Sequence, residues 1–213
     1  MVKIRNSMIG IIDYGMGNIQ SVRNAFEYMG ADVKVIVDPS ELSGIDKIVL
    51  PGVGAFATGL NNLRKQSLWE ALSEEVLHKK KPFLGICLGM QLICNESFEF
   101  GHHYGFGWVD ATVHRFDPGL AIRVPHVGWN NLIIKRTNRL LDYAQQEVDV
   151  YFVHSYYVEA HDQDMVVATC EYGREFCAMI EKDNIFATQF HPEKSQHVGL
   201  SMLKRFTELG HGA

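Results

Sequence analysis

The chain lacks several features, and each lack excludes something. No stretch approaches the roughly 20 consecutive apolar residues that a membrane span requires, although 46% of its 213 residues are hydrophobic. The apolar run Met8–Ile12, behind Lys3 and Arg5, is too short for a signal peptide, is interrupted by Gly10 and stops at Asp13. It reads as a first buried strand. Cysteine is sparse. The four thiols, Cys87, Cys94, Cys170 and Cys177, form no CxxC pair and no zinc-type Cys/His spacing, so no metal site is expected. Without a secretory segment they read as reduced thiols in a soluble, cytoplasmic protein. A chain this long buries roughly 70% of its unfolded surface, enough to fold without disulfides or metal.

An excess of basic charge is also missing. The formal net charge of −5 gives no electrostatic reason to expect nucleic acid or an anionic membrane as partner. The one basic cluster, Lys79-Lys80-Lys81, precedes Pro82 and reads as a solvated helix end. There is no repeat, low-complexity segment or Pro/Ser-rich linker, which predicts one domain over residues 1–213. A Walker loop is absent, and Gly15-x-Gly17 lacks the third glycine of a dinucleotide fingerprint, so no cofactor is expected.

What is present first is a rhythm. The strand Met8–Ile12 leads through a turn, Tyr14-Gly15-Met16-Gly17-Asn18, into a helix over 19–29 with Ile19, Val22, Phe26 and Met29 at helical spacing and Gly30 as stop signal. Strands are predicted over 32–37, 47–50 and 82–86, with a helical stretch over 58–78. Strands alternating with helices predict an α/β fold, with a mostly parallel central sheet and helices on both faces. From 108 onward shorter β pieces dominate: 108–116, 121–124, 132–135, 148–158, 165–171, 176–181 and 185–190. Turns such as Asp117-Pro118-Gly119 and Tyr172-Gly173-Arg174 separate them. They predict antiparallel strands extending the sheet, before a closing helix over 198–209.

The sharpest local pattern is Gly85-Ile86-Cys87-Leu88-Gly89, entered from an apolar strand and followed by a helical pattern. This is the thiol form of a nucleophile elbow, a strained strand-to-helix turn that exposes the nucleophile above the sheet. Glycine is needed on both flanks because a β-carbon there would strike neighbouring backbone. The following helix turns its positive end towards sulfur and favours thiolate. The ordinary alternative is a small buried cysteine packed between glycines. Cys94, Cys170 and Cys177 have no such flanks and read as core.

A thiol nucleophile needs a base that also protonates the leaving amine. Among ten histidines, His191 in Gln189-Phe190-His191-Pro192-Glu193 is favoured. Proline holds the preceding residue extended, and residues two apart in extended chain share a side, so Glu193 falls beside His191 as its orienter. Taken in isolation, a His-x-Glu fits a surface ion pair better. His154, which also ends a β run, is the second candidate base. His102 and His103 read as solvated loop residues, and His126 as preceding a loop-like contact segment, Val127-Gly128-Trp129-Asn130.

Cysteine elbow followed by His-Pro-Glu, in this order, resembles the class I (triad) glutamine amidotransferases, and the likeness runs along nearly the whole chain. Tyr-Gly-Met-Gly-Asn at 14–18, Pro-Gly-Val-Gly at 51–54 and His-Val-Gly-Trp-Asn at 126–130 resemble in particular the glutaminase subunits of histidine biosynthesis. The resemblance implies a flavodoxin-like fold, with Cys87 as nucleophile, His191 as base and acid, and Glu193 as orienter. It implies an oxyanion hole from backbone N–H groups at Leu88 and at Gly52–Val53, whose peptide has to rotate to aim its donor. Glutamine would be held by Gly54, Gln91, Ser155 and Tyr156. Asn18 and Trp129 would meet a (β/α)₈-barrel synthase that accepts the ammonia. The alternatives are a paralogue feeding another synthase, such as one in surface-sugar biosynthesis, and a non-catalytic domain on the same fold.

Overall fold

The computed structural model describes residues 7–117, 119, 122–141 and 148–210. The first half runs β1 (Met8–Ile12), α1 (Ile19–Tyr28), β2 (Asp32–Ile36), β3 (Lys47–Gly52), α2 (Phe56–Lys65), α3 (Leu68–Ser73), β4 (Phe83–Cys87) and α4 (Leu88–Leu92). The second runs β5 (Cys94–Ser97), β6 (His103–Tyr104), β7 (Val109–Arg115), β8 (His126–Asn131), β9 (Ile133–Ile134), β10 (Asp149–His154) and β11 (Tyr156–Ala160). It closes with β12 (Val166–Glu171), β13 (Glu175–Lys182), β14 (Ile185–Thr188) and α5 (Gln196–Glu208).

Five strands in the order β2-β1-β3-β4-β14 are parallel. Strands β3 and β4 are buried along their whole length, as an apolar run covered on both faces must be. Alternation assigns the faces. Ile12, Ile48 and Leu50 pack with Leu60, Leu63, Leu68 and Leu72 of α2 and α3 and with Leu88 of α4. On the other face Ile9, Ile11, Val49 and Ile86 pack with Phe26 of α1 and with Met202, Leu203 and Phe206 of α5. Beyond β14 the sheet continues antiparallel through β13 and β11 to β7, which pairs parallel with β5. The expected α/β architecture with an antiparallel extension is therefore present.

Several boundaries differ from expectation, each for a physical reason. The stretch 58–78 is not one helix. Leu63 and Leu68 would point about 140° apart on a straight helix, yet both are fully buried. A turn at Gln66 and Ser67, with Ser67 at φ 56°, brings both inward, and the segment ends in a π turn at Glu74–His78. The run 148–158 breaks at Ser155: β10 pairs with β8 in a separate two-stranded ribbon, while β11 joins the main sheet. Segment 126–131 is thus a strand rather than a loop. Helix α4 has only 5 residues, so Cys94 lies in a strand, and His103 in another. Of the expected strand 121–124, residue 121 lies outside the described residues and 122–124 form none. Pro118 of the turn at 117–119 is outside them too. The lysine run is not simply solvated: Lys79 and Lys81 both pair with Glu75, at 2.7 and 2.6 Å, and Lys81 is buried. Among the described residues, no helix is long and apolar enough to cross a membrane.

Candidate active site

Three neighbouring strand ends build the site. In the sheet register Gly52 of β3 faces Cys87 of β4, and β14 pairs Ala187 with Gly85 and Thr188 with Ile86. Gln189 and His191 therefore emerge beside Cys87. The elbow is strained as expected, with Cys87 at φ 54°, a region costly for a residue bearing a β-carbon. Its glycines are sterically required. A β-carbon on Gly89 would lie 1.8 Å from the Leu50 carbonyl oxygen, and one on Gly85 would lie 2.9 Å from the backbone of Gly89.

His191 Nδ1 lies 2.8 Å from Glu193 Oε1, and both side chains are almost completely buried, which rules out the surface ion pair. His191 Nε2 is buried without a conventional hydrogen bond and is the ring nitrogen left for the Cys87 sulfur. Burial works against charge on this imidazole, but the adjoining Cys87 sulfur and the hydrogen-bonded Glu193 carboxylate outweigh it. The pKa is pushed up to about 10, so the imidazole is held protonated at neutral pH. Backbone contacts hold the turn: His191 N–H donates to Tyr151 O at 2.9 Å, and Ser195 Oγ donates to His191 O at 2.7 Å.

The second candidate base has a different setting. Both ring nitrogens of His154 are engaged, Nε2 with His126 Nδ1 at 3.0 Å and Nδ1 with Tyr156 O at 2.8 Å. Burial depresses its pKa to about 3, so it is a poor proton acceptor. The other three thiols are buried in the core. Burial raises all three, Cys170 and Cys177 to about 12. Exposed His102 pairs with Glu96 at 2.5 Å and stacks on Phe98.

A cavity of about 400 Å³ opens over Cys87, lined among others by Val53, Gly54, Leu88, Gln91, Ser155 and Tyr156. The structure thus gathers the residues singled out for oxyanion and substrate contacts around the sulfur. The Val53 N–H donates to Met16 O at 3.2 Å, so in this conformation it does not point at the cavity. A β-carbon on Gly52 would lie 2.1 Å from the Tyr14 hydroxyl, which is buried and unpartnered. Gln91 Nε2 donates to Tyr156 O at 3.0 Å and Gln189 Oε1 at 3.1 Å. Its Oε1 is left for a ligand. Asn18 is exposed, and its side chain caps α1 by accepting the Ser21 N–H at 3.2 Å. Trp129 is 48% exposed on β8, opposite Tyr151, and is no core tryptophan.

Sequence reasoning missed Glu99. Its carboxylate lines the same cavity and accepts the Phe56 N–H at 2.5 Å. Burial raises its pKa. The signal, an acid two residues past a short strand, was hidden because β5 itself was not foreseen. A second cavity of about 540 Å³ lies elsewhere, between Tyr157, Glu159, Arg174 and Glu175. Its charges are paired, Lys135 with Glu175 and Arg174 with Glu159, and its thiol Cys177 is held protonated. Among the described residues no group of three or more His, Cys, Asp or Glu could hold a metal ion.

With a strained thiol, a buried His–Glu pair and a cavity on one sheet edge, comparison with known families is direct. The family described as "Glutamine amidotransferase class-I" matches residues 10–208, and the chain belongs to it: it is an amidotransferase enzyme. Within that class it is similar to proteins named imidazole glycerol phosphate synthase subunit HisH. The one from Geobacter sulfurreducens is 49% identical over 206 residues, spanning 94% of this chain and 98% of the relative. The HisH 1 of Campylobacter jejuni is 46% identical over 202 residues, 95% of this chain and 100% of the relative. A solved glutamine amidotransferase from Thermotoga maritima shares the fold, with TM-score 0.62 and 20% identity over 96% of this chain and 82% of that one.

Proposed function

We propose that this chain, as one amidotransferase domain, is the glutaminase subunit of an imidazole glycerol phosphate synthase in histidine biosynthesis. In this reading it hydrolyses L-glutamine to glutamate and passes ammonia to a (β/α)₈-barrel cyclase subunit in the cytoplasm. The observation that carries the chemistry is a strained Cys87 lining the cavity beside a buried His191 that is paired with Glu193 and held charged. The near full-length likeness to the HisH proteins supports the acceptor.

Glutamine enters with its α-ammonium towards the Glu99 carboxylate and its side-chain amide over sulfur. Cys87 Sγ forms a bond to the amide carbon, and the carbonyl electron pair moves onto oxygen. The Leu88 N–H and a rotated Gly52–Val53 peptide donate to that oxyanion, one such donor being worth roughly 10²–10³ in rate. As the tetrahedral centre collapses the C–N bond breaks, and His191 Nε2 gives its proton to the leaving nitrogen, releasing ammonia. His191 then takes a proton from water attacking the γ-glutamyl thioester, the C–S bond breaks, and glutamate leaves. Glu193 holds the imidazole's tautomer throughout. Asn18 and Trp129 face the cyclase. The Val53 N–H, now on Met16 O, supports a resting state that the partner releases.

Glutaminase turnover of the full chain, alone and with a candidate cyclase carrying its nucleotide, tests this. Weak activity alone and strong stimulation by the cyclase are expected, both lost in Cys87→Ser. Undiminished turnover in that variant overturns the nucleophile. Stimulation only by a synthase of another pathway favours a paralogous role.

A further inference from the structure

Gln189 takes no part in the steps above, yet it is fully buried and its Nε2 lies 3.6 Å from Cys87 Sγ. Which end of the amide faces sulfur follows from partners that each allow one polarity. The Tyr156 carbonyl can only accept, and it takes His154 Nδ1 at 2.8 Å and Gln91 Nε2 at 3.0 Å. Gln91 Nε2 has one hydrogen left, which goes to Gln189 Oε1 at 3.1 Å. With its oxygen engaged, Gln189 turns its N–H to the sulfur.

We propose that Gln189 is a further catalytic residue, donating a hydrogen bond to the Cys87 sulfur as thiolate and held in that orientation by Gln91 and the Tyr156 carbonyl. This rests on Cys87 being the nucleophile. Besides His191 Nε2, the sulfur has two neighbours that compete. The Val153 carbonyl oxygen, 3.9 Å away, accepts the thiol proton and favours S–H. The Gln189 N–H favours S⁻, and a fixed donor in a dry site acts strongly because nothing reorganises at the moment of reaction. Sulfur is negative twice per turnover, before attack and as it leaves the thioester. The donor serves both moments and transfers no proton itself.

Two variants of the full chain test it: Gln189→Met and Gln189→Leu, both of which remove the amide N–H without adding a charge beside the sulfur. Iodoacetamide alkylation of Cys87 is followed by peptide mass spectrometry across pH, with Cys87→Ser as blank and thermal unfolding as the check on folding. The titratable groups around the sulfur and the cavity over it are His191, Glu193 behind it, Tyr14, His154, Tyr156 and Glu99, and all are common to both variants. Expected are alkylation about tenfold slower at neutral pH, a pH profile displaced upward, and turnover falling in parallel with a smaller change in KM. Wild-type alkylation profiles in either folded variant overturn the proposal. Should Gln189→Met fail to fold, Gln189→Leu decides alone. If Cys87→Ser retains turnover, it is the nucleophile assignment that fails, and the two failures are told apart by that variant.

Discussion

His191 and His154 are both buried, and their surroundings drive them in opposite directions. The His191 imidazole is pushed up to about 10 and that of His154 down to about 3. Burial is common to both and always opposes charge. What differs is the company. His191 has a carboxylate on one nitrogen and a thiol near the other, whereas His154 has a neutral imidazole and a peptide carbonyl. One pair is built to hold a proton, the other to stay neutral and fix the direction of hydrogen bonds.

The largest way to break the comparison is His191→Ala. Losing the proposed acid and base should lower glutaminase turnover by about 10²–10⁴, with Cys87 alkylation at neutral pH falling as well. Equal turnover, or a greater loss in His154→Ala, would reverse the two roles. Glu193→Gln comes next, removing only the carboxylate; turnover should drop about 10²-fold. It also has a stability signature. His191 is raised above its ordinary 6.5, so its contribution is complete below pH 6.5 and fades as pH rises towards 10. The alkaline decline of the unfolding temperature should therefore shrink in Glu193→Gln.

For the neutral pair the sign reverses. His126 and His154 are depressed to about 4 and 3, mainly by burial. The unfolded chain takes up protons near pH 6.5 that the folded chain refuses, so this stability is present above 6.5 and is lost as pH falls towards 4 and below. His126→Phe, which keeps a ring between Tyr172 and Phe152, should lower stability at neutral pH by about 1–3 kcal/mol, because His154 Nε2 loses its donor. The acid slope should become shallower. An unchanged slope in thermal scans from pH 4 to 7 would mean that the pair is not neutral.

The two pairs also differ in how far sequence reveals them. His191 and Glu193 are legible because Pro192 and strand parity fix their geometry over three residues. The elbow is legible because Gly85 and Gly89 answer to backbone contacts that any such turn makes. The parallel half of the sheet follows from apolar runs covered on both sides. His126 and His154 are 28 residues apart and meet only because β8 pairs with β10. Nothing local in 126–131 announces a strand, since Gly128 sits at φ 137° and exposed Val127 and Trp129 read as loop. Glu99 and Gln189 were likewise hidden, their partners lying 43 and 102 residues away. Roles set by local backbone are readable; roles set by a distant partner's free valence are not.

The smallest expected effect makes the finest test. Asn130 Nδ2 lies 3.4 Å from His126 Nε2 and donates to Glu171 O at 3.0 Å. Because His126 Nδ1 donates to His154, Nε2 is the acceptor, and the Asn130 amide supports that tautomer from the half-exposed end of the chain of bonds. The contact is long, so Asn130→Ala should cost under about 1 kcal/mol, a fall in unfolding temperature of about 2–4 °C at most. Turnover should stay within twofold, since the carbonyl of Tyr156 keeps both of its donors whichever way the outer amide goes. A tenfold loss with intact folding would mean that the neutral pair relays its tautomer through Tyr156 and Gln91 to the sulfur. In that case the division into a proton-holding pair and a direction-fixing pair would be wrong, and β8, which carries Trp129 at the surface, would be part of the chemistry.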